Sequence, residues 1–302
     1  SAPVMTTNDI VRKAWQTGMV VPAFNIPYLP MIKPTIAALR DTNSFGLVAV
    51  ARLEWIKFQA GSIEAISAEY QRWHDTRHTR LHLDHVPVID EDNLRVAFEE
   101  DIARALRAGY GSVMVDGSRL PLTENVDCTR RIVTMAHAAG VAVEAELGAI
   151  MGHEAGPLPP YDELFASGQG FTDADEAREF VAATGVDWLS VAIGNIHGAI
   201  SMAKKDEKKL SARLSITQLK AIRDATNVPL VLHGGTGIAK SYIEDAIHTG
   251  IAKINVATAT RQAYERAGGN GTAEACDAVY RTAVALIRDE FAMMNSADVL
   301  LA

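Results

Sequence analysis

Strand-like and helix-like segments alternate along this chain eight times, and that alternation constrains its fold more than any other feature. Short runs rich in Val, Ile, Leu and Ala at 20–26, 46–52, 79–86, 112–117, 141–147, 188–194, 229–234 and 251–257 read as buried strands. Helical stretches at 31–41, 61–73, 91–109, 122–139, 172–184, 214–226 and 239–249 lie between them. Several close on glycine, as at Gly109, Gly140 and Gly250, a common helix stop. Further helices are expected near 7–17 and 259–293. Eight βα units predict an α/β fold of the closed (β/α)8 TIM-barrel type, with extra N- and C-terminal helices, as one domain over residues 1–302. An open doubly wound sheet is the runner-up.

The strands turn polar at their C-terminal ends. In chain order these ends carry Asn25, Arg52, Asp84 with His85, Asp116, Glu146, Asn195 with His197, His233 and Asn255. In a TIM barrel those ends surround one mouth, where catalysis takes place. Three of them are histidines: His85 in TRLHLDHV, His197 in VAIGNIHG and His233 in PLVLHGGTG. Neutral imidazole is the commonest nitrogen ligand of zinc, and catalytic zinc sites use three protein ligands with one position open. Such a set beside Asp84 points to a metal-dependent enzyme. His82 alternates toward the face of Asp84 and is a candidate support behind the ligands, whereas His74, His78, His137 and His248 read as surface groups.

Composition excludes other classes. A net charge of −8 offers no basic footprint for nucleic acid or an anionic membrane. No apolar run is long enough for a transmembrane helix, and the first residues lack the plan of a signal peptide. Cys128 and Cys276 are too few for a disulfide framework or a thiolate metal site, so a reduced cytoplasm is expected.

Seven motifs in order on separate strands carry a likeness: VPAFN (21–25), LHLDH (81–85), SVMVDGS (112–118), VEAELG (143–148), AIGNIHG (192–198), LHGGTG (232–237) and KINVAT (253–258). Over about residues 5–290 the chain resembles the class II, zinc-dependent ketose-bisphosphate aldolases of the fructose- and tagatose-bisphosphate type. The resemblance implies one catalytic Zn2+ held by His85, His197 and His233, with Asp84 as the acid/base residue. It implies that Asn25, Gly198, Gly234, Gly235, Thr236, Asn255, Val256, Ala257 and Thr258 bind substrate, most of them around a dihydroxyacetone phosphate moiety, with a monovalent cation near the phosphate. Glu154 matches a loop glutamate that assists proton transfer, and His153 stands where many relatives carry an acidic residue. Asp116 and Glu146 match positions that hold metal in an alternate place. Reversible aldol cleavage of a phosphorylated ketose to dihydroxyacetone phosphate and an aldehyde is the implied activity, in a homodimer or homotetramer. The residue types suit that chemistry independently. Zinc stabilises the charge left on the carbonyl half, a carboxylate moves the C4 hydroxyl proton, and backbone amides after the seventh and eighth strands bind phosphate.

Two departures stand out. The last motif reads NVAT, with Ala257 where fructose-bisphosphate enzymes carry aspartate. After the second strand comes Ala51-Arg52-Leu53-Glu54-Trp55, bulky and charged where the family shows small residues and a Ser or Thr. Arg52 either pairs with a substrate anion or forms a salt bridge near Glu54. With the Gly- and Pro-rich stretch 148–171, read as an active-site lid, this leaves a different anionic ketose or keto acid as the alternative substrate. A different metal-dependent lyase or hydrolase on the same barrel, and a non-catalytic sugar-phosphate-binding relative, are the remaining readings. The basic stretch 200–213 reads as a solvated loop.

Overall fold

The computed structural model describes residues 4–148, 159–196, 212–235 and 237–302. Its eight parallel strands are β1 (Val21–Asn25), β2 (Gly46–Ala51), β3 (Thr79–Pro87), β4 (Ser112–Asp116), β5 (Ala142–Leu147), β6 (Trp188–Val191), β7 (Leu230–Leu232) and β8 (Ile251–Val256). They close in sequence order, with β1 hydrogen-bonded to both β2 and β8. This is a TIM barrel. Parallel strands need crossover connections, and helices between successive strands supply them. The main apolar layer lies between strands and helices, from Phe24, Val48 and Leu83 to Ile132, Phe180 and Ile222. Among the described residues no helix is long and apolar enough to cross a membrane.

A second apolar cluster fills the lower interior. Val21, Leu47, Ala142 and Trp188 project inward, and Ile10, Val11 and Ala14 of the N-terminal helix Thr7–Thr17 close the floor beneath them. That helix starts on a capping box, Thr6 with Asp9, and stops at Gly18, whose φ of 68° is left-handed. Leu300, near the C-terminus, joins the same cluster.

Four sequence expectations change. The stretch 91–109 is helical only over Phe98–Arg107, because residues 88–96 fold back on themselves through Val96 N–H to Val88 O and Asp90 N–H to Leu94 O. Within 148–171, Tyr161–Ser167 is helical; residues 149–158, with His153 and Glu154, lie outside the described residues. Arg52 does not end the second strand but begins a short helix, Arg52–Ile56. His78 is buried rather than superficial, its ring bonded to Asp75 and Asn43.

Candidate active site

Asp84 and His85 are neighbours on one strand, and regular pleating would send them to opposite faces. β3 runs one residue past the expected 79–86, through Pro87, and carries an irregularity at this point. Leu83 pairs with Val113, and Val86 with Val115, so three steps on β3 match two on β4. The extra residue is a bulge, which re-aims side chains next to a site. Asp84 is buried among inward groups, while His85 turns to the Asp116 carboxylate at the end of β4.

Two imidazoles are each backed by a carboxylate. His85 Nε2 lies 2.8 Å from Asp116 Oδ2, and His233 Nε2 lies 2.7 Å from Glu144 Oε2. A carboxylate on one ring nitrogen fixes the tautomer and leaves the other nitrogen as the metal-binding atom, the usual arrangement behind metal-bound histidines. The donors divide into two groups, His85 with Asp116 and Glu146, and His82 with Asp84 and Glu144, each with ligand atoms within 4.8 Å of one another. Asn195 donates to the backbone oxygen of His233 at 2.6 Å and so fixes the end of β7 beside β6. His197, Gly198 and Thr236 lie outside the described residues.

The strand interiors are not purely apolar beneath this layer. Lys253 of β8 is fully buried and places Nζ 2.8 Å from Glu144 Oε1, an ion pair rather than an aligned hydrogen bond. The same ammonium donates to Asn255 Oδ1 at 2.6 Å. Ser112 Oγ lies 2.8 Å from His82 Nδ1, and the opposite ring nitrogen faces Glu144 at 3.6 Å and Asp84 at 3.8 Å. Burial pushes His82 down to about 3, with the Lys253 charge acting in the same sense, so its ring is neutral.

Electrostatics separate the carboxyls. Burial would raise Asp84, but the facing His233 and Lys253 charges and the Asn25 hydrogen bond outweigh it and hold the group ionised. Glu144 is likewise held below its ordinary range against burial, chiefly by Lys253 and by His233. Glu146, two residues on, goes the other way. Burial and the adjacent Asp116 charge raise it well above its ordinary value, so it keeps its proton and donates it to Asp116. Ser118 and Ser190 hydroxyls hold its two oxygens at 3.3 Å each. His85 is raised overall, because the Asp116 bond and charge exceed the effect of burial.

On the opposite side of Asp84 stands Asn25, whose Nδ2 donates to Asp84 Oδ2 at 2.8 Å and to Glu54 Oε1 at 3.1 Å. The family model for class II fructose-bisphosphate aldolase covers residues 5–298. The chain belongs to that family. It is a lyase of the metal-dependent aldolase class. Among solved structures, the YdjI aldolase of Escherichia coli K12 superposes with a TM-score of 0.77 at 28% identity, over 98% of this chain and 100% of that one. A putative fructose-1,6-biphosphate aldolase from Coccidioides immitis gives 0.77 at 26% identity, over 97% and 98%. The fructose-bisphosphate aldolase of Campylobacter jejuni shares the fold, with a TM-score of 0.70 at 20% identity over 97% of each chain.

The remaining expected substrate residues gather at the aldolase's β7 and β8 ends. Gly234 adopts a φ of 66°, a left-handed conformation that a side chain would resist, and Gly235 follows it. Asn255 and Val256 end β8, Ala257 precedes the helix Thr258–Ala267, and Thr258 is buried in its first turn.

Sequence reasoning missed Glu144, Lys253 and Glu54. Glu144 and Lys253 each precede an inward polar residue, Glu146 and Asn255, by two positions, and period-two alternation alone would have placed them inside. Glu54 is the third residue of the helix Arg52–Ile56, and its Oε1 reaches back to the Ala51 N–H at 2.7 Å. That is half of a capping box, hidden in sequence because alanine stands where serine or threonine would announce it. Arg52 itself is engaged by Asp90 at 3.7 Å and Asp101 at 3.8 Å. Of its two readings, the structure favours the salt bridge, with partners other than Glu54.

Proposed function

We propose that this aldolase reversibly cleaves a phosphorylated ketose to dihydroxyacetone phosphate and an aldehyde with one zinc ion per chain. The observation that carries the reading is the pair of carboxylate-backed imidazoles, His85 and His233, flanking the ionised Asp84. Together with His197, these two histidines would hold the metal. The donor set suits it: imidazole nitrogens fixed by carboxylates accept a borderline ion such as zinc, with Asp116 and Glu146 beside His85 as a further oxygen site. When bound, the ion supplies Lewis-acid stabilisation of the negative charge left on the ketone half.

The chain's own groups do the rest. Asp84 is ionised at rest and takes the C4 hydroxyl proton as the carbon–carbon bond breaks, then returns it in condensation. Glu144 and Lys253 keep His233 in place through a compensated buried charge network, and the Lys253 charge helps to keep Asp84 ionised. The N–H groups of Gly234 and Gly235 and the segment from Asn255 through Val256 and Ala257 to the Thr258 helix start form the proposed phosphate cradle, to which Gly198 and Thr236 are assigned as further substrate-binding residues. A monovalent cation would balance the phosphate there. Assembly as a homodimer or homotetramer in the cytoplasm completes the reading.

A different anionic ketose is the second reading. What favours a substrate without a second phosphate is that Arg52, after β2, is paired with Asp90 and Asp101. A panel of ketose mono- and bisphosphates and keto acids separates the two. Metal analysis before and after chelation, with proton exchange on dihydroxyacetone phosphate, tests the common core. About one zinc per chain and chelator-sensitive exchange are expected; exchange that survives complete metal removal would sink the proposal.

A further inference from the structure

Glu54 enters none of the steps above, yet it sits in the centre of the site. The residue is only 7% exposed and reaches from the helix after β2 into the space between β1 and β3. Its Oε1 accepts the Ala51 N–H at 2.7 Å and the Asn25 amide at 3.1 Å, and the same amide nitrogen donates to Asp84 at 2.8 Å.

An amide NH2 has two protons. Both protons of Asn25 are therefore committed, one to each carboxyl. A flipped amide would set its oxygen against two carboxyl oxygens, so the orientation follows from the partners. What remains of Asn25 is Oδ1, which is buried with no hydrogen-bond partner among the described residues, and Asp84 Oδ1 is in the same condition. Two unsatisfied buried acceptors at one place are costly unless a donor arrives. A polyhydroxylated substrate brings such donors.

We propose that Glu54 is a positioning residue for the cleavage step: through the Asn25 amide it fixes the direction of the Asp84 carboxylate and leaves Asn25 Oδ1 as the acceptor for a substrate hydroxyl. The inference rests on the aldolase reading above. The groups facing Glu54 are Asn25 of β1, the Ala51 N–H of β2, Asp84 of β3 and Arg261 of the helix Thr258–Ala267. Burial, with the Asp84 charge adding to it, raises Glu54 to about 8, against the Ala51 and Asn25 hydrogen bonds. The Glu54–Asn25–Asp84 chain thus carries one negative charge at neutrality, on Asp84, and Glu54 acts as a neutral acceptor. Without it the amide keeps only its Asp84 bond and is freer to rotate, so the hydrogen bond that directs Asp84 loses its anchor.

The test compares Glu54→Leu and Glu54→Gln with wild type in bound metal, proton exchange on dihydroxyacetone phosphate, and kcat and KM on the ketose phosphate that is cleaved best. Exchange does not involve the C4 hydroxyl and so does not call on Asp84. Glu54→Leu should lower cleavage kcat about 10–100-fold, with metal content and exchange at wild-type levels and KM within about threefold. Glu54→Gln keeps an oxygen for both donors and should retain cleavage within about threefold. If leucine does not give folded protein, Glu54→Ala is judged by the same criteria. Unchanged kcat in the leucine or alanine variant overturns the proposal. So does a parallel loss of exchange and metal, which marks general disruption, or a glutamine variant as impaired as leucine. A wild-type protein that cleaves a ketose but exchanges no proton on dihydroxyacetone phosphate fails the substrate reading instead; the kcat ratios on that ketose then decide for or against Glu54.

Discussion

The floor and the mouth of this barrel are built from the same eight strands and obey opposite rules. At the floor, Trp188 is fully buried, its Nε1 donates to Asn8 at 2.9 Å, and Val21, Leu47 and Ala142 pack around it against the N-terminal helix. Toward the mouth, Asn25 Oδ1, His82 Nε2, Asp84 Oδ1 and Glu144 Oε1 are buried without an aligned hydrogen-bond partner among the described residues, with His82 and Glu144 directly beside Trp188 where the two regions meet. Folding alone would satisfy such atoms or replace them with apolar ones, because each costs free energy. Four of the five such atoms among the described residues, all but Thr260 Oγ1, belong to Asp84 and its neighbours, where the proposed substrate would supply the missing partners.

Substitutions at the two ends should therefore separate folding from chemistry. The largest effect belongs to the mouth. Asp84→Ala should reduce cleavage by about 10²–10⁴-fold, the usual worth of a positioned acid/base group, while metal content stays at the wild-type level. Steady-state kinetics with parallel metal analysis would show it, and near-wild-type cleavage would move the C4 proton transfer to another group. At the floor, Trp188→Ala should cost about 3–5 kcal/mol of stability in denaturant unfolding, with unchanged kcat per folded molecule. A proportionate loss of kcat there would erase the distinction between the two ends.

Glu54 gives a smaller effect with a defined pH dependence. Its carboxyl keeps a proton up to about 8 in the folded protein, whereas the ordinary value is 4.5. Between those values the unfolded chain has lost the proton and the folded one has not, so stability falls as pH rises through that window. Glu54→Gln removes the term. Its melting temperature should exceed wild type progressively from pH 5 to pH 8 and then level off; a constant offset would contradict a protonated Glu54. Smallest of all is Arg52→Ala. The side chain is 22% exposed and engaged only at 3.7 and 3.8 Å, so a loss of about 0–1 kcal/mol is expected, with both cleavage and exchange little changed. Cleavage that fell while exchange held would restore Arg52 as a reader of the substrate's aldehyde half.

The eight apolar segments and their order were legible along the chain, as were the polar residues that follow most of them, Arg52 excepted, because a parallel barrel strand is buried on both faces and its composition records this. The motifs carrying Asp84, His85 and His233 were legible for the same reason, since polar residues at the end of an apolar run are conspicuous. Tertiary structure alone decided how those groups act on one another. It put an extra residue into β3 beside Asp84 and His85, and it set Lys253 against Glu144 across the barrel. It turned Glu54 back onto Ala51 and Asn25, and took Arg52 away to Asp90 and Asp101. Local sequence specifies which groups a strand end presents. Partner choice and protonation depend on burial and on distances between residues far apart in the chain, as with Glu144 and Glu146, two positions apart yet held in opposite charge states by Lys253 on one side and Asp116 on the other.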